Sequence, residues 1–253
     1  MNKIVKVNHL TFGEGTPKVC IPIVERTQEF ILQEAALLEQ KPCDLIEWRA
    51  DYYEDLMVKS SLIDTLDRML KVLSKPILFT IRTKKEGGEI ELDQQKYEEI
   101  LRWVIESELV SLVDVEYFQG DELVLKLVEC AHSHHVVVIG SNHDFSKTPS
   151  TEQIMTRLCN MSKLGIDLPK IAVMPQSKED VVKLLVATYE LSLMDDMPPI
   201  ITMSMGNLGI ISRISGETFG SCMTFATNQV ASAPGQIPVG DMNHILGILD
   251  GKV

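Results

Sequence analysis

The stretch "PKIAVMP", Pro169–Pro175, decides the fold. It is short, apolar and bracketed by prolines, which is how a buried strand of a parallel sheet reads. Seven further runs share its character: "KVCIPIV" (18–24), "DLIEWRA" (44–50), "PILFTIR" (76–82), "LVSLVDVEY" (109–117), "HVVVIGSN" (135–142), "PIITMSM" (199–205) and "GSCMTFAT" (220–227). Between them lie amphipathic segments such as "TQEFILQEAALLEQ", "SLIDTLDRMLKVLS", "DQQKYEEILRWVIESE" and "SKEDVVKLLVATYELSLM", with apolar residues near i, i+3, i+4 and i+7. Thr27, Asp93 and Ser177 stand where helix N-caps belong. Strands that alternate with helices pair in parallel. Eight such units in 253 residues predict one closed (β/α)8 TIM barrel spanning 1–253 rather than an open sheet.

The same stretch contains Lys170, a charge that a buried strand excludes unless it is paired or functional. Either the ammonium snorkels to a rim, or desolvation has made the amine a nucleophile. Lys170 also stands near the start of its run, whereas barrel active sites collect at strand C-termini. The strand therefore begins earlier, near Gly165, or the side chain reaches up through the barrel.

Composition narrows the function. A net charge of −12 argues against a nucleic-acid surface, and no apolar run reaches the length of a membrane span. The N-terminus "MNKIVKVNHLTFGEG" lacks the pattern of a secretion signal, so a cytoplasmic protein is expected. The five cysteines form no CxxC pair and read as reduced thiols. The alternation in "KIVKVNHLTFGEG" predicts a short hairpin, outside the eight units, that closes the barrel bottom. The connection between runs seven and eight is short, so its helix should be among the smallest.

Polar residues interrupt the runs near the expected barrel mouth. Glu47 and Arg49 are spaced i, i+2, so they share a strand face, and Trp48 must point the other way, toward the helices. Arg82 leads into "TKKEGGE", with Glu86 beside paired glycines. Asp114 and Glu116 repeat the i, i+2 spacing. His143 closes the fifth run, Met203 and Met205 lie in the seventh, and Arg213, Phe225, Ser232, Ala233 and Gln236 follow. Each alone has a structural reading. "HSHH" (132–135) has metal-like spacing but falls at the barrel bottom, and "MGNLG" (205–209) is too poor in glycine for a firm phosphate cradle. Together, these charges would be costly to bury for packing alone. A Schiff-base site requires such a set: an amine stripped of its proton by burial and by cations such as Arg82 and Arg213, and a histidine that moves protons next to the iminium.

The motifs "IEWRAD", "FTIRTKKEGGE", "SNHDF" with "KTP", "KIAVMP", "ITMSMG", "FGS" and "ASAPGQI" together resemble those of the type I 3-dehydroquinate dehydratases. The resemblance covers nearly the whole chain. It implies a (β/α)8 homodimer that needs no cofactor or metal and converts the small molecule 3-dehydroquinate to 3-dehydroshikimate and water in aromatic amino acid biosynthesis. It implies that Lys170 forms the imine, that His143 is the general acid and base, and that Glu86 assists His143. It further implies that Glu47, Arg49 and Arg82 bind ring hydroxyls, that Arg213, Ser232 and Gln236 hold the carboxylate end, and that Met203, Met205, Phe225 and Ala233 line the pocket. Two rival readings are a class I aldolase acting on a phosphorylated sugar and an inactive barrel that only binds a metabolite.

Overall fold

Side-chain alternation sorts each strand into two faces, and the barrel follows from that sorting. The computed structural model describes residues 3–229 and 232–251. Ala231, the first residue of "ASAPGQI", and both chain ends of the expected 1–253 unit lie outside the described residues. Among those described, the barrel strands are β3 (Lys18–Ile23), β4 (Leu45–Arg49), β5 (Ile77–Thr80), β6 (Leu112–Glu116), β7 (Val137–Asp144), β8 (Leu168–Val173), β9 (Ile201–Ser204) and β10 (Met223–Thr227). They are preceded by β1 (Val5–Val7) and β2 (Leu10–Phe12) and followed by β11 (Ile237–Pro238). The helices are α1 (Gln28–Glu39), α2 (Lys59–Val72), α3 (Gln94–Ile105), α4 (Asp121–Ser133), α5 (Thr151–Lys163), α6 (Lys178–Ser192), α7 (Ile210–Ile214), α8 (Gly216–Phe219) and α9 (Val239–Leu249).

Every neighbouring pair from β3 to β9 is parallel, and β10 returns to pair with β3. A parallel bridge between Ile200 and Ser221 closes the ring between β9 and β10. In β4, Leu45 joins the interior cluster, while Ile46 and Trp48 join the shell under the helices. Trp48 meets Phe79 edge-on at 5.6 Å and Tyr53 at 5.5 Å, so it faces away from Glu47 and Arg49, as the spacing requires. The expected caps also form: Thr27, Asp93 and Ser177 accept the backbone N–H of Phe30, Lys96 and Asp180. The helices α7 and α8 between the last two barrel strands have 5 and 4 residues.

The antiparallel hairpin β1–β2 supplies the floor. Val7, Leu10 and Phe12 pack into the interior cluster with Leu45, Leu78, Leu112, Ile139 and Leu168. One step further along each strand the interior turns polar, with Glu47, Thr80, Asp114, Ser141 and Lys170 all buried. The sealed floor leaves these charged side chains one open end. "HSHH" lies at the floor end, before β7, where the His132 ring bonds Asp167 at 2.9 Å and the His134 ring bonds the Cys130 carbonyl at 2.9 Å. Strand β8 begins at Leu168 rather than near Gly165, so Lys170 is the third residue of its strand and reaches the mouth by the length of its side chain.

Candidate active site

Adjacent strands of the barrel place the charged side chains in register. Lys170 pairs with Ser141 across β8 and β7, and Ala172 pairs with His143. Thr80 lies beside Arg49 on one side and Asp114 on the other. Glu47 accepts the Thr80 hydroxyl at 2.8 Å. Arg49 is held by two parallel bonds to Asp51, Nε to Oδ1 at 2.7 Å and Nη2 to Oδ2 at 2.8 Å.

Arg82 and Asp114 form the centre of the buried network. Arg82 Nη2 donates to Asp114 Oδ1 at 2.9 Å, and Nη1 donates to Glu116 Oε1 and Ser141 Oγ, each at 2.9 Å. Asp114 Oδ2 stands 3.3 Å from Lys170 Nζ. Burial alone would raise the Asp114 pKa, but Arg82 and Lys170 outweigh it and hold the carboxyl below its ordinary range. Lys170 also lies over the Phe225 ring, 4.5 Å from its centroid. The cationic neighbour expected beside the lysine is therefore screened: Arg82 reaches Lys170 through a shared aspartate. The barrel interior can bury Lys170 on β8 and Arg82 just past β5 only because carboxylates compensate them.

Glu86 arrives from the turn after β5. Gly88 allows that turn, since a Cβ there would lie 1.8 Å from the Arg82 carbonyl oxygen. The turn delivers Glu86 Oε2 to His143, where it accepts the backbone N–H at 2.9 Å and meets Nδ1 at 3.0 Å. Arg82 Nη1 is 3.6 Å from the same oxygen. Burial pushes the Glu86 carboxyl up to about 8, against the pull of Arg82. Burial, with Arg82, Lys170 and Arg49 nearby, holds His143 well below its ordinary range. A neutral imidazole bonded through Nδ1 leaves Nε2 to exchange a proton with a ligand.

Arg213, on α7, is 2% exposed, and no carboxylate among the described residues pairs with it. Its Nη2 donates to the Pro234 carbonyl at 2.9 Å, Nη1 approaches Met203 Sδ at 3.7 Å, and Nε has no partner among the described residues. Burial lowers its pKa to about 10. A buried guanidinium with a spare donor is a receptor for an anion. The segment carrying Ser232 and Gln236 packs over it. Ser232 N donates to Gln236 Oε1 at 2.8 Å, and Gln236 Nε2 returns a bond to Ser232 Oγ at 3.0 Å. Gly235, at φ +80°, seats this segment on Gly206, whose carbonyl oxygen would lie 2.6 Å from an added Cβ.

These groups surround one cavity. Lys170, His143, Glu86, Glu47, Arg49, Arg82, Met203, Met205, Arg213, Phe225, Ser232, Ala233 and Gln236 all line it. The structure adds Gly87, Phe145 and Ala172 to the wall. Strand alternation could have found Ala172, two residues after Lys170, but nothing in the sequence marks Phe145 as facing inward. Asp114 and Glu116 stand just behind the lining and set its charge. Among the described residues, no group of His, Cys, Asp and Glu is arranged to hold a metal, and no helix is long and apolar enough to cross a membrane.

A closed barrel that gathers a buried amine, a histidine–carboxylate pair and a guanidinium without a carboxylate partner among the described residues around one cavity has the form of a (β/α)8 enzyme. The profile of the type I 3-dehydroquinase family matches residues 19–253, and the chain belongs to that family. It is 49% identical over 250 residues to a 3-dehydroquinate dehydratase of Listeria welshimeri, covering 98% of each chain. It is 49% identical over 254 residues to that of Clostridium botulinum, covering 100% of each. The crystal structure of a type I 3-dehydroquinate dehydratase from Clostridium difficile, with covalently modified comenic acid, superposes with a TM-score of 0.97 at 43% identity, covering 100% of both chains.

Proposed function

We propose that this chain is a hydro-lyase that dehydrates 3-dehydroquinate to 3-dehydroshikimate through an imine on Lys170, as a step of the shikimate pathway. The observation that carries the reading is that the buried Lys170 and Glu86 and the half-buried His143 line one cavity with Arg213, which no carboxylate pairs among the described residues.

The amine of Lys170 adds to the ring ketone and expels its oxygen as water, leaving an iminium. The iminium withdraws electrons from the neighbouring carbon, and Nε2 of His143 takes a proton from it. The C–H electron pair becomes an enamine. That enamine then pushes out the hydroxyl one carbon further on, which leaves as water with the proton that His143 returns. Hydrolysis of the conjugated iminium frees Lys170 and the enone. Once ionised, above its raised pKa of about 8, Glu86 holds Nδ1–H and so keeps Nε2 free to act as the base. Arg213 grips the substrate carboxylate by two N–H bonds, and the segment from Ser232 to Gln236 closes over it and excludes water. Glu47 and Arg49 face the ring hydroxyls. Arg82 lines the same cavity and spends three of its five donors on Asp114, Glu116 and Ser141, so it holds the carboxylates in place and keeps donors for a ring hydroxyl.

The whole chain is one catalytic domain, and the working unit is a cytoplasmic homodimer. This part of the reading is supported by the motif resemblance, and sedimentation tests the dimer. The reaction itself is tested by following enone absorbance after mixing enzyme with 3-dehydroquinate. A rise that saturates with substrate supports the reading, and a flat trace with folded protein rejects it.

A further inference from the structure

Arg157 stands on α5, outside the substrate cavity, and no step above gives it a task. Its Nη1 donates to Asn142 Oδ1 at 2.9 Å, and the exposed ring of Phe118 lies 5.3 Å from its Cζ. Asn142 precedes His143 in β7, so strand alternation turns its side chain away from the histidine, toward an outer cleft. There it meets the far side of Glu86: Asn142 Nδ2 donates to Glu86 Oε1 at 3.4 Å, while Oε2 takes both bonds from His143.

A carboxamide has one donor end and one acceptor end, whereas a guanidinium has donors only. Arg157 can therefore face only the oxygen of Asn142, and the amide is obliged to present its N–H to Glu86. With the amide reversed, a carbonyl oxygen would oppose the carboxylate. Asn142 is 2% exposed, so bulk water is a poor substitute partner.

We propose that Arg157 is a positioning residue for the proton-transfer pair, acting through Asn142 to keep Glu86 turned toward His143 Nδ1 as a carboxylate. This rests on the reading of Lys170 and His143 as the reaction centre. The other charged groups facing Glu86 are Arg82 after β5, Asp114 and Glu116 on β6, and His143 on β7; Asp144 lies beside Arg157. Of these only Arg82 is cationic. Losing an amide donor therefore moves Glu86 toward its protonated form, in which it donates a proton to Nδ1 and no longer leaves Nε2 free. The outer cleft, about 1230 Å³ of space running out to solvent, gives small molecules access to Arg157.

The test compares the intact enzyme with Arg157→Ala, Arg157→Lys, Asn142→Leu and the Asn142→Leu, Arg157→Ala double variant. Arg157→Ala should lose about tenfold in kcat with KM nearly unchanged, and its acidic pH limb should move to higher pH. Arg157→Lys, or methylguanidine added to Arg157→Ala, should restore part of the rate. In the Asn142→Leu background the arginine change should cost nothing more. Borohydride with substrate should still trap the ligand on Lys170 in every variant. An Arg157→Ala enzyme with the kcat and pH limb of the unsubstituted protein overturns the proposal. So does an equal further loss in the Asn142→Leu background. If the unsubstituted enzyme forms no imine, the parent reading fails and this inference with it; an imine alongside an indifferent Arg157 overturns this inference alone.

Discussion

Nδ1 of His143 lies 3.0 Å from Oε2 of Glu86, and the same oxygen accepts the His143 backbone N–H at 2.9 Å. One carboxyl oxygen thus fixes the position of the ring and faces its Nδ1. The shifts of the two groups match that arrangement: burial raises Glu86 and lowers His143, so neither charges easily without the other. His143→Ala should lose on the order of 10²–10⁴ in turnover yet still form the imine, because Lys170 remains. Single-turnover trapping alongside steady-state rates checks this; near-normal turnover would remove His143 from the proton path.

The same pair imposes a pH dependence on folding. Glu86 has a folded pKa of about 8, above its ordinary 4.5, so its contribution is full below 4.5 and is lost as pH rises through 8. His143 is depressed below 6.5, so its contribution is full above 6.5 and is lost as pH falls through its folded value. The two slopes oppose each other below pH 6.5, and above it only the Glu86 slope remains. Stability should fall by up to about 2 kcal/mol between pH 6.5 and 8. Glu86→Gln should flatten that fall in denaturant titrations at the two pH values. An unchanged slope would mean that Glu86 does not titrate there.

Arg213 separates stability from function. A buried cation without a carboxylate costs folding energy, as its lowered pKa of about 10 reflects. Arg213→Leu should therefore raise Tm. Losing a charged hydrogen bond of roughly 1.5–3 kcal/mol should at the same time lower kcat/KM by about 10–150-fold. A variant that loses stability and activity together would point to a structural arginine.

The segment from Ser232 to Gln236 should report ligand. Gly235 sits at φ +80° with Gly206 close beneath it, so Gly235→Ala should dislodge the segment and raise KM. Proteolysis near Gly235 should be slower with substrate present. If ligand leaves the cleavage rate unchanged, the segment is not a lid.

Much of this was legible in the sequence, because strand alternation and helix periodicity are local signals. The i, i+2 spacing alone put Glu47 and Arg49 on one face and Trp48 on the other, and the short β9–β10 connection announced its small helices. Lys170 was conspicuous because a charge interrupts an apolar run. Pairings across the barrel were not legible. Asp114 could be seen on its strand, but its position between Arg82 and Lys170 depends on how β5, β6 and β8 come together, which no spacing along one strand encodes. Asn142 ends an apolar run without any mark of its own, and its bonds to Glu86 and Arg157 exist only once the turn after β5 and the helix α5 are in place. Arg157 left no signal, since it lies in an ordinary amphipathic helix.

The central claim is that Lys170 bonds covalently to the substrate. Borohydride added with 3-dehydroquinate should fix one reduced ligand per chain, and peptide mapping should find it on Lys170. Turnover should be lost in proportion to the label. A label on Lys163 or Lys178 with Lys170 unmodified, or full turnover with no label on any lysine, would contradict the account.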